Sequence, residues 1–212
     1  MRVVIFAGGT YQPGKASQKA LLEADMLIAA DSGAATALHL GHILSYIVGD
    51  FDSLDKQLVE QAQARGSHII TAAVEKNETD TELAVQVALE QGATEITLLG
   101  ALGGERFDHT LANVFLLAGF DNIPMRIIDG PSTCWLLRGP GTTTIEGQPG
   151  DLLSLFPLAG DATGVRTQGL YYPLHSETLR FGKPRGVSNA LTSERAEVSL
   201  VRGLLLVIHT ET

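Results

Sequence analysis

Up to about Asp129 the chain alternates short β-rich runs with helical patterns, and this rhythm restricts its fold more than any other feature of the 212 residues. The predicted strands are Arg2 to Phe6, Met26 to Ala30, Tyr46 to Val48, His68 to Thr71, Glu95 to Leu99 and Met125 to Ile128. Between them lie patterns such as Asp55 to Arg65, with Leu58, Val59 and Ala62. In Thr79 to Gln91 an apolar stripe is expected from Leu83 and Val87, joined by Val85 and Leu89. Strands that alternate with helices argue for an α/β domain with a mostly parallel open sheet, covered on both faces.

After Gly130 the rhythm changes. Short strand-like pieces follow (Leu152 to Phe156, Gly164 to Thr167, Thr178 to Phe181, Glu197 to Val201, Leu204 to His209), broken by Gly, Pro and Asn, and no helix is evident. Arg202-Gly203 reads as the turn of a hairpin. This predicts a second, all-β domain. The boundary falls between Gly130 and Gly141, where Pro131, Gly139 and Pro140 crowd together, giving domains of about 1–130 and 140–212.

Composition narrows the function. Hydrophobic residues make up 44% and charged residues 18%, ordinary values for a chain with a core of its own. A formal charge of −9 is a poor footprint for a phosphate backbone, so nucleic acid is not expected as a partner. Cys134 is the single cysteine, which excludes an internal disulfide, and it reads as a small buried hydrophobe. The run Met1 to Phe6 is broken at once by Gly8 and Gly9, and no segment reaches the length of a membrane span. A cytoplasmic location is the expectation.

The chemistry lies in where the polar residues fall. Asp31 follows the second predicted strand; Asp50 and Asp52 follow the third; Lys76 and Asp80 follow the fourth; Arg106, Asp108 and His109 follow the fifth. In an open parallel sheet those strand ends share one edge, where ligands bind, so four loops converge on one site. Asp31, Asp52 and Asp80 also suit helix capping. Asp50 and Asp52, two residues apart, with Asp80, make an oxygen-only donor set of the kind Mg²⁺ prefers. Lys76 is a point charge for a phosphate, and Arg106 a planar fork for the same purpose. Near the N-terminus Gly9 to Lys15 fits G-x-x-x-x-G-K, but Ala16 stands where a phosphate-binding loop needs Ser or Thr for its metal. That loop is still free to lie near the phosphates.

The order of the blocks carries a resemblance. Asp31-Ser32-Gly33-Ala34, Gly49-Asp50-Phe51-Asp52-Ser53, Lys76 with Thr79-Asp80, Gly103 through Asn113, and Gly186-Val187-Ser188-Asn189 together are similar to thiamine pyrophosphokinases, from about Ala29 to the C-terminus. The resemblance implies a Rossmann-like N-terminal domain binding ATP and Mg²⁺, a C-terminal β-sandwich helping to bind thiamine, and a homodimer with active sites at the subunit interface. Carried over, Asp50, Asp52 and Asp80 would hold the metal and, with Arg106 and Asp108, form the catalytic set. Asp31, Ser32, Lys76, Thr79, His109 and Asn113 would meet ATP, and Ser188 and Asn189 would meet thiamine. Three positions depart from the family pattern: Ser32 in place of a glycine, Glu75 in place of aspartate, and Glu105 inserted between Gly104 and Arg106. Two other readings compete: a P-loop-like ATPase or kinase that uses Lys15, and a non-catalytic nucleotide-binding module.

Overall fold

The computed structural model describes every residue except 52–53 and 74–75. The chain divides into two compact units, Met1–Gly130 and Pro131–Thr212.

In the first unit β1 (Arg2–Phe6), α1 (Lys15–Leu22), β2 (Met26–Ala30), α2 (Gly33–His39), β3 (Tyr46–Gly49), α3 (Lys56–Ala64), β4 (His68–Thr71), α4 (Asp80–Glu90), β5 (Glu95–Leu99), α5 (Phe107–Gly119) and β6 (Met125–Asp129) follow one another. The strands lie in the order β4-β3-β2-β1-β5-β6, each neighbouring pair parallel. Side chains alternate across a strand, so each central strand serves two cores. Val4 and Phe6 of β1, Ala29, Ile47 and Leu99 meet Ala20 of α1, Ala34 and Ala37 of α2 and Ala62 of α3 on one face. Val3, Ile5, Ile28, Ile96 and Leu98 are equally buried on the other, where α4 packs against β1, β2 and β3. Each such Ile or Phe contributes roughly 1.5–3 kcal/mol by leaving water.

The expected stripe on α4 is rotated from its true position. Thr81, Ala84, Val85, Val87 and Ala88 are buried, whereas Leu83 and Leu89 are only half-buried. Alanine lets a helix backbone approach the sheet, so Ala84 and Ala88 take the inner positions and the larger leucines move to the flanks.

The second unit consists of β7 (Ser132–Arg138), β8 (Gly141–Glu146), β9 (Leu152–Pro157), β10 (Ala162–Gln168), β11 (His175–Leu179), β12 (Asn189–Ala190), β13 (Arg195–Leu200) and β14 (Leu204–Thr210). One sheet runs β12-β9-β14-β7 and the other β11-β10-β13-β8, with antiparallel pairs throughout. Leu153, Leu155, Leu205 and Val207 of the first sheet close on Ile145, Val165, Leu179 and Val198 of the second, the packing of a β-sandwich. Arg202-Gly203 is not a hairpin turn. β13 pairs with β10 and β8, while β14 pairs with β7 and β9, so the chain changes sheets there. Arg202 pairs instead with Thr163.

Candidate active site

The chain steps outward from β1 through β2 and β3 to β4, then returns to the other side of β1 with β5. Loops after β1 and β5 therefore leave in opposite directions and open a crevice at the carboxyl edge. A cleft of about 970 Å³ lies there. Its floor is backbone: Gly9 N donates to Gly100 O at 2.8 Å. A Cβ on Gly9 would lie 2.6 Å from that oxygen, so no larger residue lets the two loops approach so closely.

Gly8, Gly9 and Thr10 line the cleft, while Lys15 is exposed on α1 and does not line it. Gly14 has its own structural duty, since a Cβ there would lie 2.1 Å from Gly130 O. The G-x-x-x-x-G-K match thus reflects close packing at Gly14, and only the first part of the loop reaches the site.

Asp31 and Ser32 line the cleft from the end of β2, and Asp50 from the end of β3. Asp31 N donates to Val48 O at 2.8 Å, so these two strand ends are tied together. Asp31 has φ 44° and Phe51 φ 60°, a region that side chains with a Cβ seldom adopt. The Phe51 ring packs against the core, which offsets the strain and holds the backbone at Asp50. Asp52 lies outside the described residues.

Capping does not account for these acids. Thr79 caps α4, its hydroxyl accepting from Glu82 N at 3.2 Å, and Asp55 caps α3, accepting from Gln57 N. Ser32 occupies the cap position of α2 without making a cap bond, its hydroxyl donating to Gly8 O at 3.4 Å. Asp80 instead accepts from Lys76 Nζ at 2.6 Å, and both line the cleft beside Thr79.

From the β5 side come Glu105, Arg106, His109 and Asn113. Arg106 lines the cleft despite the inserted Glu105. Its Nε and Nη2 donate to Asp108 Oδ1 and Oδ2 at 2.9 and 2.6 Å. This fork holds the Asp108 carboxyl down at about 2 and raises the Arg106 guanidinium further. Asp108 itself is not among the lining residues. Asn113 is buried, and its Nδ2 donates to Ala101 O at 2.8 Å, so part of its amide shapes the turn after β5.

Ser188 and Asn189 belong to the second unit. Ser188 has φ 57° and its N–H donates to Ser154 Oγ at 3.0 Å. The Asn189 side chain brackets Tyr172, accepting from its N–H at 3.0 Å and donating to its carbonyl at 2.7 Å. This bracing supports the exposed Tyr171–Tyr172 pair, whose rings meet edge-on at 4.8 Å.

Asp50 and Asp80 give the cleft hard oxygen donors, and among the described residues no three His, Cys, Asp or Glu side chains gather as a metal cage. Carboxylate oxygens are the donor type that Mg²⁺ takes beside water and phosphate oxygens. Sequence reasoning gave no role to Gly8, Asn77, Glu78 and Thr110, and placed Gly9 and Thr10 only in a loop free to lie near the phosphates; all six line the cleft. For Gly8 and Gly9 the signal was a Gly-Gly pair directly after the first strand.

A doubly wound α/β unit with acids, bases and bare backbone gathered at its switch point defines a ligand-binding α/β protein that carries a β-sandwich as its second unit. The family model for the thiamin pyrophosphokinase catalytic domain matches residues 17–128, and that for the thiamin pyrophosphokinase vitamin B1 binding domain matches 142–205. The chain belongs to the thiamin pyrophosphokinase family. It is 31% identical to the thiamine pyrophosphokinase of Bacillus subtilis over 191 residues, covering 89% of this chain and 88% of that one. The crystal structure of the B. subtilis protein matches with a TM-score of 0.88 at 30% identity over 100% of both chains. That of Geobacillus thermodenitrificans thiamin pyrophosphokinase matches with 0.84 at 28%, over 100% of this chain and 98% of that one.

Proposed function

We propose that this chain transfers pyrophosphate from ATP to the hydroxyl of thiamine, giving thiamine diphosphate and AMP, with Mg²⁺ required. The observation that carries the reading is one cleft lined by Asp50, Asp80, Lys76 and Arg106 over a glycine floor, in a chain of this family. Lys76 and Arg106 would bind the polyphosphate, and Asp50 and Asp80, with Asp52, would hold the cation. Bound there, Mg²⁺ would neutralise charge on the phosphates. Gly8, Gly9 and Thr10 offer backbone close to the polyphosphate, and Asp31, Ser32, Thr79, His109 and Asn113 flank the nucleotide. The thiamine hydroxyl would attack the β-phosphorus in line, with positioning and electrostatics supplying most of the acceleration. Asp108 is a poor candidate for the base, because both its oxygens are held by Arg106 and its carboxyl sits near 2.

We further propose that Ser188 and Asn189 serve thiamine and that the protein works in the cytoplasm as a homodimer, with each site shared between subunits. The exposed Phe107, Leu111 and Phe115 on α5 support an interface close to the cleft. Purified protein given ATP, Mg²⁺ and thiamine should yield thiamine diphosphate and AMP. ADP as the nucleotide product would overturn the pyrophosphoryl transfer.

A further inference from the structure

One contact in the cleft conflicts with a site loaded with nucleotide and divalent cation. Lys76 Nζ lies 2.6 Å from Asp80 Oδ1, and the two side chains are only 15% and 25% exposed. The ammonium holds one oxygen of a carboxylate that a hard cation would use and offsets its charge. The same bond ties up the charge that a phosphate would attract. A divalent ion bound to the same carboxylate would lie beside the ammonium, and in a partly dehydrated site the two positive charges weaken each other's hold.

We propose that the Lys76–Asp80 pair is an exchangeable latch, an inference resting on the proposed nucleotide and cation site. While formed, the pair weakens binding of the divalent cation; it opens when a polyphosphate draws Lys76 away, so nucleotide and cation bind cooperatively. The two partners differ in freedom. Asp80 stands in the first turn of α4, which Thr79 caps, so its backbone is fixed. Lys76 precedes the helix and carries its charge on a flexible four-carbon stem, which makes it the moving partner. After the exchange every charge again has an opposite partner: the ammonium meets phosphate, and the carboxylate meets the cation. The Arg106–Asp108 pair does not act in this way, since Asp108 lies outside the lining and its engagement leaves the cleft open.

The test is calorimetric titration of the full chain with Mn²⁺ as the probe, alone and with a non-hydrolysable methylene-bridged ATP analogue. For the wild type, the analogue should tighten Mn²⁺ binding by about tenfold or more, a usual size for coupling between sites. Lys76→Gln should bind Mn²⁺ alone about tenfold more tightly than wild type and lose most of the enhancement by the analogue. Lys76→Arg, which keeps a cation beside Asp80, should retain the wild-type order. Mn²⁺ affinity of Lys76→Gln within twofold of wild type would overturn the latch. So would equal tightening in Lys15→Gln, which removes a charge outside the cleft. Asp80→Asn distinguishes failure of the latch from failure of the cation site: it should abolish Mn²⁺ binding in every state, and unaltered binding would remove the site and the latch together.

Discussion

Two aspartates that form the same kind of bond do opposite work. Asp108 is exposed, and its bidentate pair with Arg106 is a matter of orientation, because solvent screens most of its energy. Asp108→Asn should leave stability nearly unchanged while the freed guanidinium wanders. A raised KM for ATP, with a pH profile unaltered between about pH 5 and 9, is the expected outcome in steady-state kinetics. A lost basic limb would instead mark Asp108 as a proton acceptor. Asp151 is buried and accepts from Gln148 N, Thr212 N and His209, which joins the turn before β9 to the last residues of the chain. Burial alone would raise its carboxyl, but the bonds from Gln148, Thr212 and His209 outweigh it and hold the value below the ordinary carboxylate range. A depressed folded value means that its stabilisation is complete above the unfolded value of about 3.9 and drains away as pH falls through the folded one. Asp151→Ala should therefore cost about 2–4 kcal/mol in urea unfolding at neutral pH and progressively less as the pH falls below the unfolded value of about 3.9.

At the scale of elements, α4 shows how local chemistry positions the site. Thr79 spends its hydroxyl on Glu82 N, so Asp80 projects from a closed first turn. Thr79→Ala should cost about 1 kcal/mol, read by thermal or urea unfolding, and should loosen Asp80 enough to weaken cation binding. Serine at the same position should restore both. The sequence misplaced this duty by offering Asp80 as a cap, because Thr and Asp are chemically equivalent candidates one residue apart and only backbone geometry separates them. Elsewhere the elements were plain. β1, β2, β4 and β5 match their predicted bounds, since a central parallel strand is apolar on both faces and punctuated sharply at its end. The β-sandwich was harder to read. β7 was missed because it lies between Pro131 and Gly139, residues that suggest a linker, and its pairing with β14 is set by partners more than sixty residues away. The change of sheet at Arg202-Gly203 is likewise decided by non-local pairing. Four site loops could be found from the sequence because each follows a strand end. The Gly8-Gly9 pair marked the first loop, but its close approach to the loop after β5 was not legible, since contact between two loops leaves no local pattern.

At the scale of the whole molecule, charge and apolar surface are divided unevenly between the units. Residues 131–212 carry as many acids as bases, so the net −9 resides in residues 1–130. Two copies meeting through their first units would bring like charges together, which disfavours that contact. The neutral second unit exposes Tyr171, Tyr172 and Phe181, while α5 exposes Phe107, Leu111 and Phe115 at 75%, 41% and 50%. Spaced four residues apart, these three form one stripe along the helix. The proposed homodimer would satisfy both constraints if α5 of one copy met the second unit of the other. It would also bring Ser188 and Asn189 of one copy toward the cleft of its partner. Burying each side chain of the stripe is worth roughly 1.5–3 kcal/mol, so Leu111→Glu with Phe115→Glu should raise the dimer dissociation constant about 100-fold or more. Sedimentation velocity across a concentration series reads that change, and Tyr172→Glu on the opposing surface should reproduce it. Dissociated protein should keep nucleotide binding, which needs only the first unit, and lose turnover with thiamine. A double variant that stays dimeric, or a monomer with full turnover, would show that each chain completes its site alone.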